Sequence, residues 1–354
     1  MSSIRSAPLL SGLADIEPHL AKLFEWKTNP WQPTSLRPTI LHLGCGEQVI
    51  DGFINVDFLP HDDRVLEWDL LDYWPKDIKD SIDAAFSEDV MEHFFLLEQM
   101  YIFCSMNCAL RRDGVYRVLM PNLDSLVESC QTFSVEKHVF YSEGQGITTG
   151  ADALNAGLRF SGHRWLHNQE SLSRAATICG FAAVPTTCYM SSVDLLKGRN
   201  LRAETNSLSF ANDLQLRRKI THRTIPPANV VGCDSLGTAS DDSHMYRSAS
   251  CDPRVYYYLP HSIRVENIVL LNIRCSNISQ FREHTVAQVY FAPAERHSYY
   301  FDETMKSRPC MNLISSDILR MRTREREIHE LRFDPTFQKG DQFLLGPLEI
   351  FFYD

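Results

Sequence analysis

Residues 39–60 read TILHLGCGEQVIDGFINVDFLP, and the fold turns on how this stretch is taken. A β-branched, leucine-rich segment that stops at Gly44-Cys45-Gly46 reads as a buried strand entering a sharp turn. Missing side chains there let backbone N–H groups approach a ligand. A second apolar run, FINVD, then ends on an acid, Asp57. Alone, a Gly-x-Gly pair also marks tight turns that bind nothing. A dinucleotide site would bring a third glycine opening a helix and an acid about twenty residues onward. Here Glu47, Gln48 and Val49 follow and Asp57 comes early, which disfavours a pyrophosphate cradle.

Outward from this stretch the chain alternates. DAAFSED, GVYRVLMPN and FAAVPTTCYM read as strands, LLEQMYIFCSMNCALR and NQESLSRAATICG as helices. Strands alternating with helices predict an α/β fold, a doubly wound, mostly parallel sheet with ligands beyond the carboxyl ends of its strands. Upstream, Ile16, Leu20, Leu23 and Phe24 recur at helical spacing and predict an N-terminal helix. Residues 134–162 are glycine-rich and poorly periodic, the expected place for a lid over the site. Residues 1–225 are therefore expected to form one domain. From IPPANVVGCDSLGTASDDSH the texture is that of a linker, 226–250. Short runs such as RVYYYLP and PLEIFFYD then predict a second, all-β sandwich or jelly-roll domain over 251–354.

Composition narrows the class of function. The 354 residues are 44% hydrophobic and 23% charged, which is globular and leaves room for two cores. A formal net charge of −10 argues against nucleic acid as a partner, since phosphate binding calls for a basic face. The N-terminus lacks the apolar core of a secretory signal and no membrane span is evident, so a soluble, cytoplasmic protein is expected. The ten cysteines form no disulfide framework. Cys104 and Cys108, four apart without a second pair at zinc spacing, read as core residues, and no metal site is expected.

Five ordered segments, LHLGCG, GFINVDF, WDLLDYWP, IDAAFSEDVMEHF and LRRDGVYRVLMPNLDSL, resemble the successive motifs of class I S-adenosylmethionine-dependent methyltransferases over roughly residues 38–190. The resemblance implies S-adenosylmethionine as cofactor. It places the cofactor's carboxylate at Gly44, Cys45 and Gly46, its ribose hydroxyls on Asp57, and its adenine edge on Asp69 and Leu70, with Asp72 a substitute. Ser87, Glu88, Asp89, Glu92 and His93 at the fourth-strand exit would surround the amino group and sulfonium. Family members often carry His where Asp89 stands, so the local base is open among Asp89, His93 and His163, with His163 the first choice because a histidine of that segment lies over the pocket in the family. For His93 a capping or packing role, and for His163 a plain surface loop, stand beside these readings. A His163/His167 metal site lacks a carboxylate placed by sequence.

The closing run, with Arg332, Asp334 and Pro335 in a Leu-Arg-x-Asp-Pro box, resembles β-sandwich modules on enzymes of bacterial surface-polysaccharide assembly. Tyr256, Tyr257, Tyr258, Tyr290 and Phe291 are candidates for stacking on sugar rings, though at period two half must face the core. Together these imply an O-methyltransferase acting on a sugar or glycan hydroxyl. Methylation of a small secondary metabolite and a catalytically silent binding protein stay open, as does a homodimer.

Overall fold

The computed structural model describes residues 28–31, 34, 38–132, 148–159, 162–186, 208–240, 243–250, 252–277, 288–291, 298–300, 311–322, 326–335 and 339–354. The expected N-terminal helix and the first part of the expected lid, to residue 147, lie outside the described residues. The described residues up to His222, with Asn267–Leu270 and Phe351–Asp354, cluster as one compact unit, and Arg223–Glu266 with Leu271–Ile350 as a second.

Ile40, Leu41 and Leu43 are buried, as a strand covered on both faces requires. They form β1 (Ile40–Leu43). β2 (Ile54–Asp57), β3 (Val65–Glu67), β4 (Ile82–Glu88), β5 (Leu110–Pro121), β6 (Phe181–Thr186) and β7 (Ser209–Leu216) complete a seven-stranded sheet in the order β3-β2-β1-β4-β5-β7-β6. The ladders from β3 through β5 are parallel, and β7 runs antiparallel to both neighbours. This is a Rossmann-like, mostly parallel α/β sheet. The chain winds outward from β1 to β3, then resumes beyond β1 at β4, which makes the β1–β4 crevice the switch point where such sheets hold ligands.

The helices are α1 (Leu96–Ala109), α2 (Leu123–Gln131), α3 (Gly150–Arg159), α4 (Gln169–Ile178) and, in the second unit, α5 (Ser316–Arg322). The Glu98 carboxylate accepts the Phe95 N–H at 2.9 Å at the head of α1, while Asn168 caps α4 by accepting the Ser171 N–H at 3.0 Å. Helix α3 falls within the span expected to be an aperiodic lid. Its buried face is Ala153, Ala156 and Gly157, residues too small to register as an apolar period.

Strand β7 carries a polar pair into the interior. Arg117 lies opposite Asp213 in register, both side chains are buried, and the guanidinium Nε and Nη2 meet the two carboxylate oxygens at 2.8 and 3.2 Å. Removing one partner leaves a charge in a dry sheet. Asp213→Ala is expected to destabilise the fold by on the order of 3 kcal/mol, read as a lower urea midpoint, and Arg117→Met in the same chain should recover most of it.

The chain leaves this sheet through β8 (Thr221–Ile225). Beyond it, β9 (Asn229–Val231), β10 (Cys233–Ser240), β11 (Ser243–Ser248), β12 (Arg254–Arg264), β13 (Ile268–Asn277), β14 (Gln288–Phe291), β15 (Ser298–Tyr300), β16 (Met311–Ser315), β17 (Glu327–Asp334) and β18 (Gln342–Phe352), all of the second unit save Ile268–Leu270 and Phe351–Phe352, form two sheets, ordered β10-β11-β18-β13-β16 and β15-β14-β17-β12-β9. The neighbour pairings resolved in both sheets are antiparallel. Residues 226–250, expected as linker, instead hold β9, β10 and β11. β9 and β10 close the ends of their sheets, and an end strand needs little apolar content. Phe351–Asp354, expected in the sandwich, packs within the first unit. The Phe351 ring stacks on His222 at 4.5 Å and meets Tyr101 edge-on at 5.6 Å, and the Tyr353 hydroxyl donates to the Ile178 carbonyl at 2.8 Å.

Candidate functional site

β1 hands the chain to Gly44 at φ +58°, a left-handed backbone that strains a side chain, and a Cβ there would stand 2.6 Å from Val90. That close approach seats the turn against the chain leaving β4. Cys45 extends the sheet, its N–H donating to the Val56 carbonyl at 3.1 Å, and burial pushes its thiol up to about 11. The Gly46 N–H donates to Asp57 Oδ2 at 2.8 Å and the Leu59 N–H to Oδ1 at 2.9 Å. Asp57 is thereby fixed between two turns, with lone-pair capacity left on each oxygen. Beside it Phe58 and Leu59 are 59% and 63% exposed, an apolar step next to the acid.

Asp69 is bracketed by Asn29, whose Oδ1 accepts the Asp69 N–H at 3.0 Å and whose Nδ2 donates to the Asp69 carbonyl at 2.8 Å. Asp69 Oδ1 accepts the Leu71 N–H at 2.9 Å, and the Leu70 carbonyl takes the Trp74 indole N–H at 3.1 Å. Asp72 is buried while Asp69 is half-buried. Ser87 is fully buried and its hydroxyl lies 2.8 Å from that of Tyr116, so its side chain belongs to the sheet interior. Glu88 ends β4 half-buried. Asp89 follows at φ +53°, a strained conformation for a residue with a side chain and one that clusters at functional sites.

Beyond Asp89 a short helical turn, Met91–His93, brings together what the sequence separates by seventy residues. The Arg164 N–H donates to the Glu92 carbonyl at 2.7 Å and ties the 162–167 segment to the β4 exit. His163 Nδ1 lies 2.6 Å from the Gly157 carbonyl, which can only accept, so Nδ1 donates and Nε2 is the nitrogen left for a second partner. That Nε2 stands 3.9 Å from Glu92 Oε1, and the His93 ring meets the His163 ring at 5.2 Å between centroids. Burial lowers His93, and His163 lowers it further, against hydrogen bonds to the main chain at Gly162 and Asp89. Burial is the main force raising Glu92 to about 8. His93 and His163, two of the three candidate bases, thus meet. Glu92, expected with its neighbours to face the sulfonium, is instead fully buried, and a glutamate beside a histidine gives no sign of burial. No metal-ligand set was expected, yet Glu92, His93 and His163 each offer a ligand atom, all within 4.8 Å of one another.

His167 lies elsewhere in function. It is buried, with Nδ1 2.9 Å from the Ser171 hydroxyl and Nε2 2.9 Å from Gln99 Oε1, and burial pushes it down to about 4. A histidine held below its ordinary 6.5 stays neutral in the fold while the unfolded chain takes up a proton. Its contribution is complete above pH 6.5 and is lost as pH falls toward 4. The expected loss is about 2–3 kcal/mol across that window, and His167→Gln should flatten the acid limb of a Tm–pH curve.

In the second unit, Val255 and Tyr257 of β12 are fully buried, whereas Tyr256 and Tyr258 take the other face, with rings 6.4 Å apart and 25° from parallel. Tyr290 of β14 pairs in register with Arg332 of β17, whose guanidinium lies 4.4 Å over its ring and bonds Asp334 at 2.8 and 2.6 Å. The side chain of Phe291 lies outside the described residues.

No family model matches the chain, and no curated protein matches it. Among solved structures, it is similar to an S-adenosylmethionine dependent methyltransferase from Mesorhizobium loti, at 13% identity over 56% of this chain and 97% of that one, with a TM-score of 0.32. A SAM dependent methyltransferase from Archaeoglobus fulgidus is 13% identical over 57% and 91%, with a TM-score of 0.28. A xylan binding module, CBM86, from Roseburia intestinalis is 13% identical over 38% and 96%, with a TM-score of 0.27. Likeness of this order carries no argument about function, which falls to the chemistry of the site.

Proposed function

We propose that this chain is an S-adenosylmethionine-dependent O-methyltransferase whose acceptor is a sugar hydroxyl of a glycan or of a nucleotide- or lipid-linked precursor. The observation that carries the reading is the rim at the β1–β4 switch point, where Gly44–Gly46 and Asp57 follow β1 and end β2, and His163 faces Glu92 on the chain leaving β4. The rim fits the cofactor. Gly46 has open space where a side chain would stand, Asp57 keeps acceptor capacity for ribose hydroxyls, and Phe58 offers an apolar surface to a base.

When bound, the cofactor supplies an electrophilic methyl group on a sulfonium. The chain's own work is to align the acceptor and remove its proton, because in-line displacement draws most of its rate from positioning. A sugar hydroxyl ionises far above neutral pH, so a base must take its proton as the new bond forms. His163 Nε2, with its tautomer locked through Gly157, is that base.

The glycan part of the proposal draws support from the second unit, where Tyr256 and Tyr258 share one face of β12, and Arg332, opposite Tyr256, lies over the Tyr290 ring. Aromatic faces with a charged neighbour suit stacking on sugar rings. Calorimetric titration of the full chain with S-adenosylhomocysteine tests the cofactor reading, and absence of binding removes it. Transfer of labelled methyl groups to polysaccharide but not to small aromatic alcohols tests the acceptor.

A further inference from the structure

We propose that Glu92, His93 and His163 form a binding site for a divalent transition-metal cation at the β4 exit. The Glu92 side chain is fully buried and neither carboxylate oxygen has a hydrogen-bond partner among the described residues. A buried carboxylate without a partner is destabilising by several kcal/mol unless a cation or a proton neutralises it. The facing group is His163, whose Nδ1 donates to the Gly157 carbonyl and whose Nε2 stands 3.9 Å from Glu92 Oε1, beyond hydrogen-bond reach. One ion bonded to both at about 2.1 Å spans up to roughly 4.2 Å, so the gap admits it. His93, ring to ring with His163, brings the third donor.

The surroundings have the form of a metal shell. A main-chain carbonyl behind a ligating histidine fixes its tautomer, as Gly157 does, and the Arg164 N–H on the Glu92 carbonyl fixes the segment that delivers His163. Two imidazoles and one carboxylate suit Zn²⁺ or Mn²⁺, whereas Mg²⁺ and Ca²⁺ want oxygen ligands. Three protein ligands leave at least one position open for water or an acceptor oxygen. Binding of the ion stands apart from methyl transfer; its expected role there, polarising an acceptor hydroxyl, rests on the proposed function.

The test titrates EDTA-treated full-length protein with Zn²⁺, Mn²⁺ and Mg²⁺ by calorimetry and by the Mn²⁺ resonance signal. One Zn²⁺ or Mn²⁺ per chain with a raised Tm is expected, and about 100-fold weaker binding in His163→Ala and Glu92→Gln. Glu92→Gln, a neutral side chain of the same shape, should melt close to wild type without metal, so its melting curve separates lost binding from lost folding. No stoichiometric uptake by the wild type, equal uptake of Mg²⁺, or unchanged uptake in both variants overturns the site, since a proton on Glu92 would then be the neutralising partner. S-adenosylhomocysteine titrated into the same samples reports the cofactor reading separately.

Discussion

Asp57→Ala is expected to remove measurable affinity for S-adenosylhomocysteine, a loss of about 10²- to 10⁴-fold, while the chain still folds. Each oxygen of this carboxylate accepts one main-chain N–H, from Gly46 at 2.8 Å and Leu59 at 2.9 Å, and each keeps capacity for one more donor. Two ribose hydroxyls are two donors. Hydrogen bonds to a charged group contribute roughly 1.5–3 kcal/mol each, which sets the expected range. The same substitution frees the two N–H groups, and both lie in loops open to water, so the stability change should stay near 1 kcal/mol. Asp57→Asn keeps one carbonyl acceptor and should fall between. Wild-type affinity in Asp57→Ala, with an unchanged melting curve, would detach the rim from the cofactor.

The parts of this site that sequence disclosed are those whose chemistry is local. A strand, a glycine turn and an acid lie within residues 39–60, and the turn geometry that makes Gly44 necessary is a property of the backbone itself. β7 was missed because SFANDLQL puts Asn212 and Asp213 at fully buried positions, and no apolar period marks them. Only the pairing with Arg117, ninety-six residues away, makes Asp213 an interior residue. Glu92 is the same lesson at the site. Its burial depends on a segment tied on by the Arg164 N–H, and the unpartnered state of its oxygens exists only in three dimensions. The strands at 229–248 illustrate the reverse error: exposed residues such as Ser235 and Gly237 sit in strands by main-chain pairing, while their side chains read as loop.

His163→Ala is expected to lower kcat for methyl transfer by about 10²- to 10⁴-fold, with cofactor affinity unchanged and acceptor KM altered little. The hydrogen bond from Nδ1 to Gly157 leaves one nitrogen able to take a proton, and it is the nitrogen aimed at the β4 exit. His163→Gln, which fills similar space without a basic lone pair, should be as slow. Full turnover in either variant would return His163 to a structural role. The proposed ion occupies the same nitrogen, so metal removal from the wild type decides between two modes of action. If turnover survives EDTA, the imidazole itself accepts the hydroxyl proton. If turnover falls and returns with Zn²⁺ or Mn²⁺, the ion acidifies the hydroxyl and His163 acts by holding it.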